Sequence, residues 1–299
     1  MKLFNAIGDA SIIPLFYEKT GIKLNVLVSY HYLQGQEHPL VKEYRKMYNL
    51  LYLDSGAFSA NTGKSKIDVH EYLQYLNLNG KPFDVTFNLD DNFSDPEHNW
   101  QNQVYLEKHL SKGIEKPVPV LHDAQDPFAE FERYYADYPY VAIGSNRNVA
   151  KNFFKKVKGK YPRLKVHLFG NLSGEMLLKY RPYSADSAFF VHTSKFGVIY
   201  YWDPQEKKEY PIDLGEREKN VEVRVEGWRR IYKTKKKKQG NVPHFSKFKY
   251  RGKLEKFLRH TFGYEYHHLL SSWEARYVVN LYFIDQFQNF VNSLPPERS

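Results

Sequence analysis

Asn49-Leu-Leu-Tyr-Leu-Asp-Ser-Gly-Ala-Phe-Ser59 decides how this chain is read. Leu50, Leu51 and Leu53 predict a buried strand, and the apolar run stops at Asp54-Ser55-Gly56. Strands of a parallel sheet are covered on both faces, so they read as nearly continuous apolar runs. An acid at the carboxyl end of such a strand, before a small flexible turn, stands where α/β enzymes keep their chemistry. The plainer alternative has Asp54 capping the helix that follows.

The pattern recurs outward from this stretch. Upstream, residues 1–23 read as a short lead-in, and Lys23 to Ser29 as a strand. Residues 36–48 read as a basic helix. Downstream, strands are predicted over 83–89, 117–121, 140–143, 165–169 and 184–191. Helical spacing fills 68–79, 96–112, 126–136, 149–159 and 173–180 between them. Short apolar strands alternating with amphipathic helices predict βα units and a parallel sheet. Seven such strands predict an α/β fold of the (β/α)8 TIM-like barrel type. Strand ends at Asp54, Asp90, His122, Gly144, Gly170 and Asp186 would then meet on one rim.

After Phe196 the rhythm breaks. Residues 197–212 read as a hairpin, residues 228–259 are strongly basic, and a long C-terminal helix is expected near 272–293. The expected organisation is one domain over 1–299, with 197–262 as a basic hairpin and loop insertion after the seventh strand. In the basic part, Arg229, Arg230, Lys235, Lys236, Lys237, Lys238, Lys247, Lys249 and Arg251 are candidate contacts to a phosphate backbone. Phe245, Phe248 and Tyr250 interleave with the last three. The alternative for this segment is a solubilising insertion.

Composition narrows the function classes. Lys and Arg number 44 against 34 Asp and Glu, a net charge of +10. Together with 25 Tyr and 21 Phe this favours a polyanionic partner, whose phosphates need cations and whose unstacked bases need ring faces. With 0 Cys, disulfides and thiolate metal sites are excluded, and no metal or cofactor is expected. The segment Met1 to Asp9 meets an acid early and has no long apolar run. Neither a signal peptide nor a membrane span is therefore expected, and the expected localisation is cytoplasmic.

Several motifs, in order, resemble the tRNA-guanine transglycosylase superfamily. Asp54-Ser55-Gly56-Ala57-Phe58 is similar to its Asp-Ser-Gly-Gly-aromatic motif. Phe83 to Asp90 resembles the strand ending in its base-recognising Asp, and Ala142-Ile-Gly-Ser145 its glycine strand end. His167-Leu-Phe-Gly170 resembles its His-x-x-Gly strand, and Ala185-Asp-Ser187 falls where its nucleophile lies. His267-His-Leu-Leu270 with Glu274 resembles its C-terminal element. The resemblance spans roughly residues 24–292. The tRNA enzymes' Cys-rich zinc site has no counterpart here, and Ser187-Ala-Phe-Phe190 replaces their Pro-Thr-Arg tract. The Ser184-x-Asp186-Ser187 form is more similar to the 7-deazaguanine DNA transglycosylase branch.

What the resemblance implies is exchange of guanine in DNA for a 7-deazaguanine base of the preQ0 or preQ1 type. The same exchange on tRNA and a catalytically inactive nucleic-acid-binding barrel are the alternatives. It implies Asp186 as nucleophile and Asp54 as general acid and base. It places Asp90, Ser55, Phe58, His122, Gly144, Ser145, Phe169 and Gly170 around the base. The partners would be DNA or tRNA and the free base, with a homodimer left open. Plainer roles remain for each residue: a helix-capping pair for Asp90 and Asp91, a paired buried acid for Asp186, core packing for Phe58 and Phe169, and a loop histidine for His122. Three acids at separate strand ends are costly unless used, which favours a site.

Overall fold

The computed structural model describes residues 1–33, 36–63, 65–122, 127–144, 146–157, 159–215 and 242–295. Ser145, Arg229, Arg230 and Lys235 to Lys238 among the predicted site residues lie outside these. The chain forms two compact units. The first comprises Met1–Ile13, Lys23–Ala188 and the stretch from Val291 on; the second comprises Pro14–Ile22 and Phe189–Phe290.

The first unit holds eight strands: β1 Lys2–Ala6, β2 Leu24–Ser29, β3 Tyr48–Asp54, β4 Val85–Thr86, β5 Val120–Leu121, β6 Tyr140–Ile143, β7 Lys165–Leu168 and β8 Ser184–Ser187. They form one parallel, curled sheet in the order β4-β3-β2-β1-β8-β7-β6-β5. The outer strands meet as well, because Phe87 and Val118 pair in parallel. The Asn88 N–H donates to Val118 O at 2.9 Å and the Val118 N–H to Thr86 O at 2.8 Å. This is a TIM-like α/β arrangement, as the strand rhythm predicts.

The helices between the strands are α1 Ile12–Thr20, α2 Pro39–Lys42, α3 Ala57–Thr62, α4 Val69–Asn79, α5 Pro96–His109, α6 Pro127–Tyr135, α7 Arg147–Val157 and α8 Gly174–Tyr180. Local chemistry sets their starts. The Asp68 side chain accepts the N–H groups of His70 and Glu71 at the head of α4. Asp95 does the same for Glu97 and His98 ahead of α5, with Pro96 in the first turn. Asp90 and Asp91 are therefore not the cap of α5.

Inside the sheet, Phe4, Leu27, Tyr52, Phe87, Val118, Val120 and Ala142 form the core cluster, with Leu50, Val85, Tyr140 and Phe169 packed on it. Side chains alternate across a strand, so Leu50, Tyr52 and Asp54 share the inward face of β3. All eight strands run the same way, and the carboxyl ends carrying Asp54 and Asp186 share one rim.

Several expectations are corrected. The lead-in contains β1 and all of α1. Phe4 at the centre of β1 is fully buried and pairs in register with both Asn25 and Asp186. The strand bearing Asp186 is thus the eighth, and whatever follows it comes after the eighth strand. Residues 36–48 form only the four-residue α2 and a 3-10 turn, Arg45–Met47. The strands predicted over 83–89 and 117–121 shrink to two residues each. Pro117 and Pro119 have no N–H for a ladder, which limits β5. The strand predicted over 184–191 stops at Ser187, where α9 Phe189–Lys195 takes over.

The second unit contains α9, an antiparallel hairpin of β9 Val198–Asp203 and β10 Lys208–Asp213, and helices α10 Arg251–Phe262, α11 Tyr266–Ser271 and α12 Trp273–Ser293. Buried Asn280 ties it together. Its Oδ1 accepts the Tyr200 N–H at 2.7 Å, and its Nδ2 donates to the carbonyls of Phe190 and Val198. Phe245 and Phe248, expected as ring faces among cations, are 1% and 5% exposed and belong to this core. Phe245 stacks on Tyr266 at 4.3 Å between centroids. Arg251 is paired with Glu255 at 2.7 Å, while Lys247 and Lys249 are exposed. No helix among the described residues is long and apolar enough to cross a membrane.

Candidate active site at the carboxyl ends of the strands

Three carboxylates, from β3, the β4 end and β8, stand at this rim, and two of them act on the third. Burial raises the Asp54 carboxyl well above the usual carboxylate range, and the charges of Asp90 and Asp186 push it further. The Gly56 and Ser55 backbone N–H groups oppose the rise. Asp54 Oδ2 accepts the Gly56 N–H at 3.1 Å, a local turn ahead of α3, but Gly56 is the N-cap of that helix and has no side-chain cap bond, so Asp54 does not cap it. The effect of two further acids on Asp54 is what a purely local role does not explain.

Gly56 has a positive φ of 82°. A side chain there would be strained, and its Cβ would overlap Ser29 Oγ and His31 Cβ. Gly56→Ala is expected to cost about 2–4 kcal/mol, from backbone strain and overpacking together. A urea titration of the variant beside the wild type measures this; an unchanged midpoint would contradict the tight turn.

Asp186 is 5% exposed and sits beside fully buried His167. Its Oδ1 accepts the Gly170 N–H at 3.0 Å and lies 3.3 Å from His167 Nε2. Gly170 has φ 61°, which favours glycine, and its N–H thereby points at the carboxylate rather than at a base. Behind His167, Nδ1 meets Ser184 Oγ at 2.8 Å, and Ser184 Oγ meets the Tyr140 hydroxyl at 2.7 Å. Burial drives the Tyr140 hydroxyl up, so it stays protonated. Among the described residues all hydrogen bonds to the Asp186 carboxylate fall on Oδ1. Oδ2 carries no hydrogen bond from any of them.

Asp90 is held from two sides. Its Oδ1 accepts the Ser55 hydroxyl at 3.0 Å, and its Oδ2 is bonded to His122 Nε2. The His122 backbone N–H donates to Glu130 Oε2 at 2.8 Å. Burial by itself would lower the His122 pKa, but the charge and hydrogen bond of Asp90, helped by Glu130, raise it overall. The folded state therefore favours the imidazolium. Stability from this pair is fully present below the ordinary histidine pKa and is lost as pH rises through the raised one. His122→Gln is expected to lower the melting temperature more at pH 6 than at pH 9; an equal loss at both would exclude an ion pair.

The ring arrangement differs from a Phe58–Phe169 sandwich. Phe93 stacks on His122 at 4.4 Å and 25°, and Phe58, an exposed ring, lies near-parallel to Phe93 at 6.4 Å and 20°. Phe169 instead packs edge-on against Phe87 and His167 at 4.7 and 4.6 Å. Gly144 also departs from expectation. Its N–H donates to Leu121 O at 3.2 Å, so it is engaged in the sheet. A Cβ on Gly144 would stand 2.9 Å from the His122 ring, so this glycine makes room for the imidazole.

The rim thus unites Asp54, Ser55, Asp90, His122, Gly170 and Asp186. The residues missed as site members are His167 and Phe93. His167 stands within the quoted His-x-x-Gly motif, and strand alternation from Phe169 marks it as inward-facing. Phe93 follows Asp90-Asp91-Asn92 in a loop, where no periodicity marks it. No group of three or more His, Cys, Asp or Glu among the described residues is arranged to hold a metal ion. A 240 Å³ cavity lies away from the acids, between the end of α7 and the starts of β7 and β8. No protein-family model, no curated protein and no solved structure matches this chain.

Proposed function

We propose that the chain is a transglycosylase of the tRNA-guanine transglycosylase type, exchanging guanine in DNA for a free 7-deazaguanine base. The observation that carries this is the set of three acids, with the Asp54 carboxyl pushed up beside Asp90 and Asp186. An acid that holds its proton beside a further carboxylate is what acid–base and nucleophilic roles require of one site. The ordered motifs of the sequence supply the choice of substrate.

In this scheme Asp186 Oδ2 attacks the sugar C1′ as the glycosidic bond breaks, and the bond's electron pair leaves with guanine. The proton held by Asp54 passes to the departing base. The sugar remains on Asp186 as an ester, by the logic of retaining glycosidases. The incoming base gives its ring proton to Asp54 and displaces Asp186, which restores both groups. Gly170 and His167 orient the nucleophile. Asp90, braced by Ser55 and His122, has a second lone pair on each oxygen to accept hydrogen bonds from the base. In duplex DNA the target base must be extruded, since stacking shields both C1′ and the base edge.

Incubation with labelled guanine or preQ0 and either duplex DNA or tRNA tests this. Incorporation into DNA is expected. Incorporation into tRNA alone would transfer the substrate to RNA, and none into either would end the proposal.

A further inference from the structure

We infer that the face formed by α7, the loop to β7 and the end of α8 is a binding surface for the phosphodiester backbone of a nucleic acid. Between Arg147 and Arg181 the chain carries ten Lys and Arg against the single acid Glu175, a net +9 over 35 residues. The positive charge of the chain is concentrated, here and in residues 228–259, which carry thirteen Lys and Arg against the single acid Glu255. It does not come from an even coat of cations that would only aid solubility.

Glu175 is taken up at one end. Its carboxylate pairs with Arg147, and with Lys151 at 2.6 Å, near the rim that carries the acids. Further along, among the described residues, no carboxylate pairs with Lys155, Lys160, Lys165 or Lys179. All four are exposed. The apolar side of α7 (Val149, Ala150, Phe153, Phe154, Val157) is buried, which turns its cations outward. Rings accompany them: Lys179 lies over Tyr180 at 5.6 Å and Lys165 over Tyr183 at 5.0 Å.

The 240 Å³ cavity opens among these groups, lined by Tyr161, Lys179, Tyr180, Arg181 and Tyr183. Arg181 adopts a left-handed conformation, φ 44°, at the end of α8. Its Nε is buried with no hydrogen-bond partner among the described residues. Its Nη1 donates to Leu294 O at 3.4 Å, which holds the guanidinium at this end of the face. The 11-residue α7 covers about 16 Å from the acidic rim toward this cavity. A strand placed at the rim would thus find successive phosphate contacts along the helix.

Nucleic acid is also the partner in the base-exchange proposal, but this surface does not depend on base exchange. The test uses the full chain and a fluorescein-labelled 30-base-pair duplex, with anisotropy followed across a salt series. A Lys155→Gln, Lys160→Gln, Lys179→Gln variant changes only exposed side chains and is expected to melt with the wild type. Its affinity should fall roughly 10- to 100-fold, and the slope of log K against log salt should flatten by about 0.9 for each phosphate no longer neutralised. Asp186→Asn should bind as the wild type does. An unchanged affinity and slope in the triple variant would overturn the assignment. So would a wild-type chain that binds heparin but not the duplex. Duplex binding with this salt slope and no base exchange would sink the transglycosylase reading and leave this surface standing.

Discussion

Asp186→Asn is expected to reduce base exchange at least ~10³-fold and to abolish any covalent protein–nucleic acid adduct. The substitution keeps the size and the Oδ1 acceptor that the Gly170 N–H uses at 3.0 Å. What it removes is the second carboxylate oxygen, the one that would carry the sugar. Denaturing electrophoresis of the protein with guanine-containing DNA reads the adduct, and labelled-base exchange reads turnover. Exchange at the wild-type rate in the variant would remove Asp186 as nucleophile. Retained duplex binding in the inactive variant separates chemistry from docking.

Asp54→Asn is expected to lower exchange by roughly 10²–10⁴-fold, the usual contribution of a positioned acid or base. The same change should raise stability at neutral pH, and the sign follows from burial. The folded state holds the Asp54 proton over a range where the unfolded chain has released it. The wild type therefore loses stability as pH rises above the ordinary carboxyl pKa of 3.8, until the raised pKa is passed. An amide carries no such penalty. The variant should melt higher than the wild type at pH 7, with the gap closing as pH falls toward 4. A variant less stable at pH 7, or a gap independent of pH, would mean that Asp54 is not a desolvated acid. Lost exchange together with raised stability is the outcome expected if a desolvated acid serves the proposed reaction.

Sequence alone determined the α/β class and the rim. Leu50, Leu51 and Leu53 mark a buried strand because only a covered parallel strand tolerates an unbroken apolar run, and Asp54 marks its end. The alternation of such runs with helical spacing is local, so it is legible without coordinates. It also foretells that Asp54, Asp90 and Asp186 come together, since equivalent ends of parallel strands must meet. The helix of 21 residues from Trp273 was legible for the same reason.

Tertiary structure decided the rest. Lys2–Ala6 is too short and mixed to signal a strand, yet it is held between β2 and β8 by hydrogen bonds from both. The ring preference of Phe93 for His122, and of Phe245 for Tyr266, depends on neighbours 29 and 21 positions away in the chain. Gly144 looks like a donor to a ligand from its motif, but strand pairing engages its N–H and the His122 ring takes the space above it. The rise of the Asp54 pKa is of the same kind. Any aspartate has the same carboxyl in sequence, and only burial beside two further carboxylates changes what that carboxyl does with its proton.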